Sequence, residues 1–99
     1  MNIKIHSIHF DADSKLEDFI ETRVGKLTQF YDSIIGAEIF LRLDKAENAE
    51  NKVTEIKIEI PGNDLFAKRQ SGSFEAATDA AVEALRKQIT KHKEKLRGI

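Results

Sequence analysis

Two stretches of this chain, AEIFLRL at residues 37–43 and VTEIKIEI at 53–60, alternate apolar and polar residues almost without a break. Successive side chains on a strand point to opposite faces, so each stretch makes one apolar face and one polar face. Ala37, Ile39, Leu41 and Leu43 share a side in the first; Ile56, Ile58 and Ile60 share one in the second. A sheet that is apolar on one side only needs a second layer over that side. The polar DKAENAENK between the two stretches reads as a hairpin loop, and PGND after the second reads as a tight turn into a short last strand, LFAKRQ at 65–70. The opening NIKIHSIHF at 2–10 is a further strand with a flaw. Ile3 and Ile5 share one parity, Ile8 and Phe10 the other, so the strand bulges or ends near His6–Ser7.

The covering layer is also visible. Leu16, Phe19, Ile20, Val24, Leu27, Phe30 and Tyr31 recur at helical spacing, predicting a helix over about 15–30, with Ser14 and Glu17 as a capping box. Gly25 inside it costs roughly 1 kcal/mol relative to alanine. A second helix is expected over about 74–96, capped by Ser71 or Ser73. Its inward stripe is Phe74, Ala77, Thr78, Ala81, Val82, Leu85, Ile89 and Leu96, with His92 on the same arc. The order is β-α-β-β-β-α. A helical crossover makes the first two strands parallel, and hairpins make the rest antiparallel. The expected fold is α+β: a two-layer sandwich of a four-stranded mixed sheet with two helices on one face.

Ninety-nine residues suit a single domain, 1–99. Without cysteine there is no disulfide and no thiolate chemistry. The opening residues lack the basic start and long apolar run of a leader. No stretch approaches the ~20 apolar residues of a membrane span. A soluble, cytoplasmic protein is the expectation.

The net charge of -1 hides an asymmetry. Residues 1–85 hold ten Lys and Arg against sixteen Asp and Glu; residues 86–99 hold six against Glu94 alone. Such a split points to a partner of negative charge met locally. The plainer explanation is a solvated helix end whose cations suit the helix dipole. On the second helix the cations form two rows: Lys87, Lys91 and Lys95 on one flank, Arg86, Lys93 and Arg97 on the other. The first row continues upstream into Ala76, Ala80 and Ala84. Arg23 and Lys26 add two cations on the first helix. With the helices side by side, they are expected to face a groove whose opposite wall is the Lys87 row, a lining that suits phosphates. The alternative for Arg23 is an ion pair with Asp18 or Asp79.

Catalytic patterns are missing. There is no G-x-S-x-G, no phosphate-cradling glycine loop and no H-E-x-x-H. His9 and Asp11, sharing a strand face, would be two ligands where zinc sites need three or four. The expectation is a non-enzyme without a metal or other cofactor.

Taken together, MNIKI, SKLEDFIETRVGKLTQFYD, IPGNDLFA and AATDAAVEALRKQITKHKEKL resemble, over nearly the whole chain, the ribosome hibernation promoting factor family, also described as ribosome-associated inhibitor A or the short sigma-54 modulation-type proteins. Ala76, Ala77 and Asp79 match the start of that family's last helix; Lys87, Gln88, Ile89, Lys91, Lys93 and Lys95 match its basic run. Arg23 and Lys26 fall where the family carries Lys or Arg. The resemblance implies a fold akin to a double-stranded-RNA-binding domain and binding to the small ribosomal subunit and its ribosomal RNA, in the messenger and transfer RNA channel. It also implies inactivation of idle ribosomes in starvation or stationary phase. Arg23, Lys26, Arg86, Lys87, Lys91, Lys93, Lys95 and Arg97 are then the RNA-binding candidates. DNA and membranes are not expected partners, the free protein is expected to be a monomer, and no C-terminal dimerisation domain is expected. The chain departs from the family at Gly72, Ser73, Phe74 and Glu75, where many members have an acidic pair and Met-Tyr. It departs again at Ala84 and Thr90, which are often Lys and Arg. The competing function is a protein-binding regulatory module, a transcription-factor modulator that presents the basic helix to an acidic protein. A general duplex-RNA binder is a third reading.

Overall fold

The computed structural model describes residues 1–45 and 49–96. Part of the expected DKAENAENK loop, and the candidate Arg97, lie outside them. The elements are β1 (Asn2–Ser7), α1 (Ser14–Gly25) with a 3-10 turn (Lys26–Gln29), β2 (Gly36–Leu43), β3 (Lys52–Ile60), β4 (Asn63–Ser71) and α2 (Phe74–Leu96). The sheet order is β1-β2-β3-β4, with β1 parallel to β2 and the other pairs antiparallel. This is the expected mixed α+β sandwich.

Alternation sets the register. Ile39 stands opposite Ile56, and Ile58 opposite Leu65, so the apolar residues of neighbouring strands fall on one side. There they join Ile20, Val24 and Leu27 of the first helical segment and Phe74, Ala81, Leu85 and Ile89 of α2 in one core. Thr54 of β3 and Thr78 of α2 are fully buried, and their hydroxyls lie 3.4 Å apart, satisfying each other inside the core. Pro61–Gly62 close the β3–β4 hairpin, and Gly62 takes a φ of 78° that side chains disfavour.

Several expectations need correction. β1 ends at Ser7, and His9 follows with φ 65°, so His9 and Asp11 share no strand face. The cap of α1 is Asp13, whose carboxylate accepts from the Leu16 N–H at 2.8 Å, one residue before the expected Ser14. Asp13 takes that place because its backbone is extended while Ser14 is already helical. On α2 the cap is Ser73, accepting from the Ala76 N–H. The α-helix stops at Gly25 and tightens to a 3-10 turn. The Thr28 hydroxyl donates to the Gly25 carbonyl, one of the acceptors an ending helix leaves open. Past this point the helical spacing no longer holds, and Phe30 is 41% exposed instead of core. Leu96 is 64% exposed, because a 23-residue helix is about 35 Å long and outruns the sheet beneath it. Leu43, at the end of β2, is exposed as well.

The helix-free face of the sheet carries a charge ladder. Glu38 accepts from His6 at 3.1 Å and pairs with Lys57 at 3.3 Å; Arg42 pairs with Glu55; the His6 ring stacks on Phe40. The Lys57 hydrogen bond, then that of His6, holds the Glu38 carboxyl below the usual glutamate range.

Two glycines should respond oppositely to alanine. At Gly36 a Cβ would lie 2.9 Å from the Asn2 carbonyl oxygen, where β1 pairs with β2, so Gly36→Ala should destabilise by about 1–3 kcal/mol. At Gly25 a Cβ would meet nothing within 4 Å, so Gly25→Ala should stabilise by about 0.5–1 kcal/mol. Urea denaturation checks both. A group whose folded pKa is depressed adds stability above its unfolded pKa and loses it as pH falls through the folded value. Glu38→Gln should therefore flatten the acid limb of a stability–pH curve from the usual glutamate range downward, and leave the neutral-to-basic slope governed by other groups.

Candidate nucleic-acid interface

The positive charge on α2 is positioned by how that helix is seated. Phe74, Ala77, Thr78, Ala81, Leu85 and Ile89 are buried against the sheet. Every other side chain then follows at about 100° per residue. Gln88 fixes one flank, because its amide donates to the Phe66 carbonyl of β4 at 2.9 Å. The opposite flank faces α1. There Arg23 Nε donates to Asp79 Oδ1 at 2.9 Å, and Lys93 Nζ donates to the Phe30 carbonyl at 2.7 Å. The Tyr31 and His92 rings meet edge to face. Arg23 meets Asp79 and Tyr31 meets His92, so the two helices run in the same direction.

This arrangement divides the candidate cations into two kinds. Arg23 is engaged twice: it pairs with Asp79, and its guanidinium lies 4.6 Å from the centre of the Phe19 ring. The alternative reading for this residue, an ion pair with Asp79, is the one the structure adopts. Arg86 is clamped by Glu83 through two hydrogen bonds, one of 3.0 Å, and stands 5.9 Å from the Phe30 ring centre. Arg86 holds the Glu83 carboxyl below its usual range, and Glu83 in turn raises Arg86. Lys93 is half-buried against the Phe30 carbonyl. These three close the seam between the helices.

Lys26, Lys87, Lys91 and Lys95 are the other kind. All four are exposed, and none has a side chain that makes a hydrogen bond or ion pair among the described residues. Lys87, Lys91 and Lys95 form one row, spaced one turn apart. The expected groove, with Arg23 and Lys26 on one wall and the Lys87 row on the other, is therefore not what the helices build. The α2 flank turned to α1 is the one with Asp79, Glu83, Arg86 and Lys93, and the Lys87 row looks away from α1, toward solvent on the β4 side. Helical periodicity places the two rows on opposite flanks but says nothing of which flank meets α1. The Gln88 bond to β4 and the Arg23 and Lys93 bonds across the helix seam decide that.

One exposed cation went unnoticed in the sequence. Leu65 and Ala67 of β4 are buried on the helix-facing side, and Arg69 has the same parity. Parity alone puts it on that side of β4, but a lone cation in a short final strand gives no sign of the helix flank it joins. Charge is also graded along the molecule. The open recess at the start of α1 is lined by Asp11, Asp13 and Glu75 together with Lys15, and would repel phosphate. The partnerless lysines lie toward the far end of α2. Among the described residues, no group of three or more His, Cys, Asp and Glu is placed to hold a metal ion, and no helix is long and apolar enough to cross a membrane.

The seam pair is half-exposed, so its coupling should be small. A double-mutant cycle on Arg23→Ala and Asp79→Ala should give about 0.2–1 kcal/mol in urea melts, shrinking as salt is raised. A coupling that salt does not change would mean the pair acts through packing instead.

Residues 3–97 match the family described as sigma 54 modulation protein / S30EA ribosomal protein. A ribosome hibernation promoting factor from Klebsiella oxytoca is 28% identical over 97 residues, which cover 98% of this chain and 96% of that protein. One from Escherichia coli K12 is 25% identical, with 98% of each covered. Among solved structures, a ribosomal subunit interface protein from Coxiella burnetii superposes with a TM-score of 0.84 at 20% identity, covering 95% of this chain and 99% of that one. The N-terminal domain of Thermus thermophilus Protein Y gives 0.80 at 24% identity, covering 93% and 99%. These two structures share the fold. With the family match running almost from end to end, the chain belongs to the sigma 54 modulation protein / S30EA ribosomal protein family.

Proposed function

We propose that this protein is a ribosome hibernation factor. It binds the small ribosomal subunit in the channel used by messenger and transfer RNA and holds translation inactive in starvation or stationary phase. The observation that carries this reading is the exposed, partnerless row Lys87, Lys91 and Lys95 on a protein that is acidic elsewhere. Relatives of the same length named as ribosome hibernation promoting factors support it.

The physical account is simple. A row of ammonium groups on a rigid helix displaces counterions from an RNA backbone, and this supplies affinity without reading sequence. Selectivity comes from the shape of folded ribosomal RNA. The acidic remainder of the chain, including Asp11, Asp13 and Glu75, weakens attachment in other orientations. Inactivation is by occupancy: a bound protein excludes messenger and transfer RNA, with no bond made or broken. The cytoplasm is the compartment such a partner requires.

The second reading is a modulator that binds an acidic protein through the same row, and the family's sigma 54 description favours keeping it. Nuclease treatment separates the two, because it releases a ribosome-bound protein from RNA and leaves a protein–protein complex intact.

Sucrose-gradient sedimentation with purified ribosomes tests the proposal. The protein should travel with the small subunit or whole ribosome at low salt and dissociate as salt rises. Lys87→Ala/Lys91→Ala/Lys95→Ala should reduce the log–log salt slope by about 2–3 in total, at roughly 0.7–0.9 for each phosphate that is no longer neutralised. A triple variant that binds with an unchanged slope would remove these lysines from the interface.

A further inference from the structure

The flank of α2 that carries the lysine row continues upstream through Gln88, Ala84 and Ala80. Gln88 ties that flank to β4, the last strand of the sheet. β4 brings a cation of its own to it. Arg69 pairs across the sheet with Thr54, whose hydroxyl lies 3.4 Å from that of Thr78 on α2. Arg69 therefore stands on the helix side of the sheet, at the level of Thr78, on the outermost strand. It is exposed and makes no ion pair among the described residues. Its hydrogen bond goes to the adjacent Lys68 carbonyl at 2.7 Å, through one of the five donors a guanidinium offers. This contrasts with Arg23, Arg42 and Arg86, each of which is paired with a carboxylate.

Between Arg69 and Lys87 the flank presents Ala80 and Ala84, exposed and half-exposed and without long side chains to hold a polymer away. The carboxylates of this half of α2 are Glu75, Asp79 and Glu83, all turned toward the other flank, where Arg23 pairs with Asp79 and Arg86 with Glu83. Two acids stand near the line: Glu94, on the crest beside Lys91, and Glu83, one turn before Lys87 and within its electrostatic reach. From the level of Thr78 to Lys95 the helix rises about 26 Å, the length of seven or eight phosphates at ~3.4 Å each along one strand.

We propose that Arg69 is a phosphate-binding residue, and that a single RNA backbone strand runs along the α2–β4 flank from Arg69, past the alanines, to Lys87, Lys91 and Lys95. This deepens the ribosomal RNA reading above and rests on it. Charge complementarity selects the occupant, because the line carries four cations in extended file, none of them in an ion pair among the described residues.

Binding of the purified protein to isolated small subunits, measured by sedimentation over a range of salt, tests this with three variants. Arg69→Ala should lower the salt slope by about 0.7, the value for one contact to a single strand. Arg69→Lys should keep the wild-type slope, which separates charge from fold. Lys4→Ala, an exposed cation on the opposite face of the sheet, should leave the slope unchanged. If Arg69→Ala binds with the wild-type slope while the triple lysine variant has a reduced one, Arg69 is outside the interface and the ribosomal reading stands. If Arg69→Ala and Lys4→Ala lower the slope equally, attachment is diffuse and the defined track is wrong. If the wild-type protein stays at the top of the gradient at low salt, the ribosomal reading fails and Arg69's role fails with it.

Discussion

Seating the apolar stripe of α2 on β3 and β4 sets the rotation of that helix about its own axis, and the direction of every cation on it follows. Phe74, Leu85 and Ile89 can be buried only if the stripe faces the sheet. The buried Thr54–Thr78 contact and the Gln88 bond to β4 then leave little freedom to roll. One flank is turned toward α1 and the other toward the outer edge of the sheet. The residues that hold the helix down are thus not the ones that reach outward.

The same seating gives two roles to side chains of one chemical type. Arg23, Arg86 and Lys93 look like RNA ligands in a charge count, yet each is occupied, by Asp79, Glu83 and the Phe30 carbonyl. A phosphate would have to compete with these partners. Lys26, Lys87, Lys91 and Lys95 have no side-chain hydrogen bond or ion pair to give up among the described residues. Exposed ion pairs are weak, so the competition is not prohibitive for Arg23 or Arg86. The partnerless lysines nevertheless offer their charge without breaking any bond within the protein. The helix dipole adds to this, because the carbonyl end of α2 favours cations in its last turn.

Much of the architecture was readable from the residues. Alternation in AEIFLRL and VTEIKIEI marks the sheet and its buried side, because a strand has a period of two and one face meets water. The parity break after Ile5 marks the end of β1. Errors gathered at element ends. Asp13 displaced Ser14 as the cap, the helix tightened after Gly25, and Phe30 and Leu96 left the core. Caps and terminal turns depend on one or two local bonds that periodicity does not register.

Composition and periodicity were enough to determine that this is an α+β layer pair, that its charge is split along the chain, and that two rows of cations lie on opposite flanks of the last helix. These follow from covalent order and from the fixed repeats of strand and helix. Tertiary structure decided which row meets α1 and which meets solvent, that Asp79 takes Arg23, and that Arg69, well before the lysines in the chain, shares a flank with them. Those outcomes depend on how two elements dock, and docking is set by the summed burial of side chains far apart in the chain.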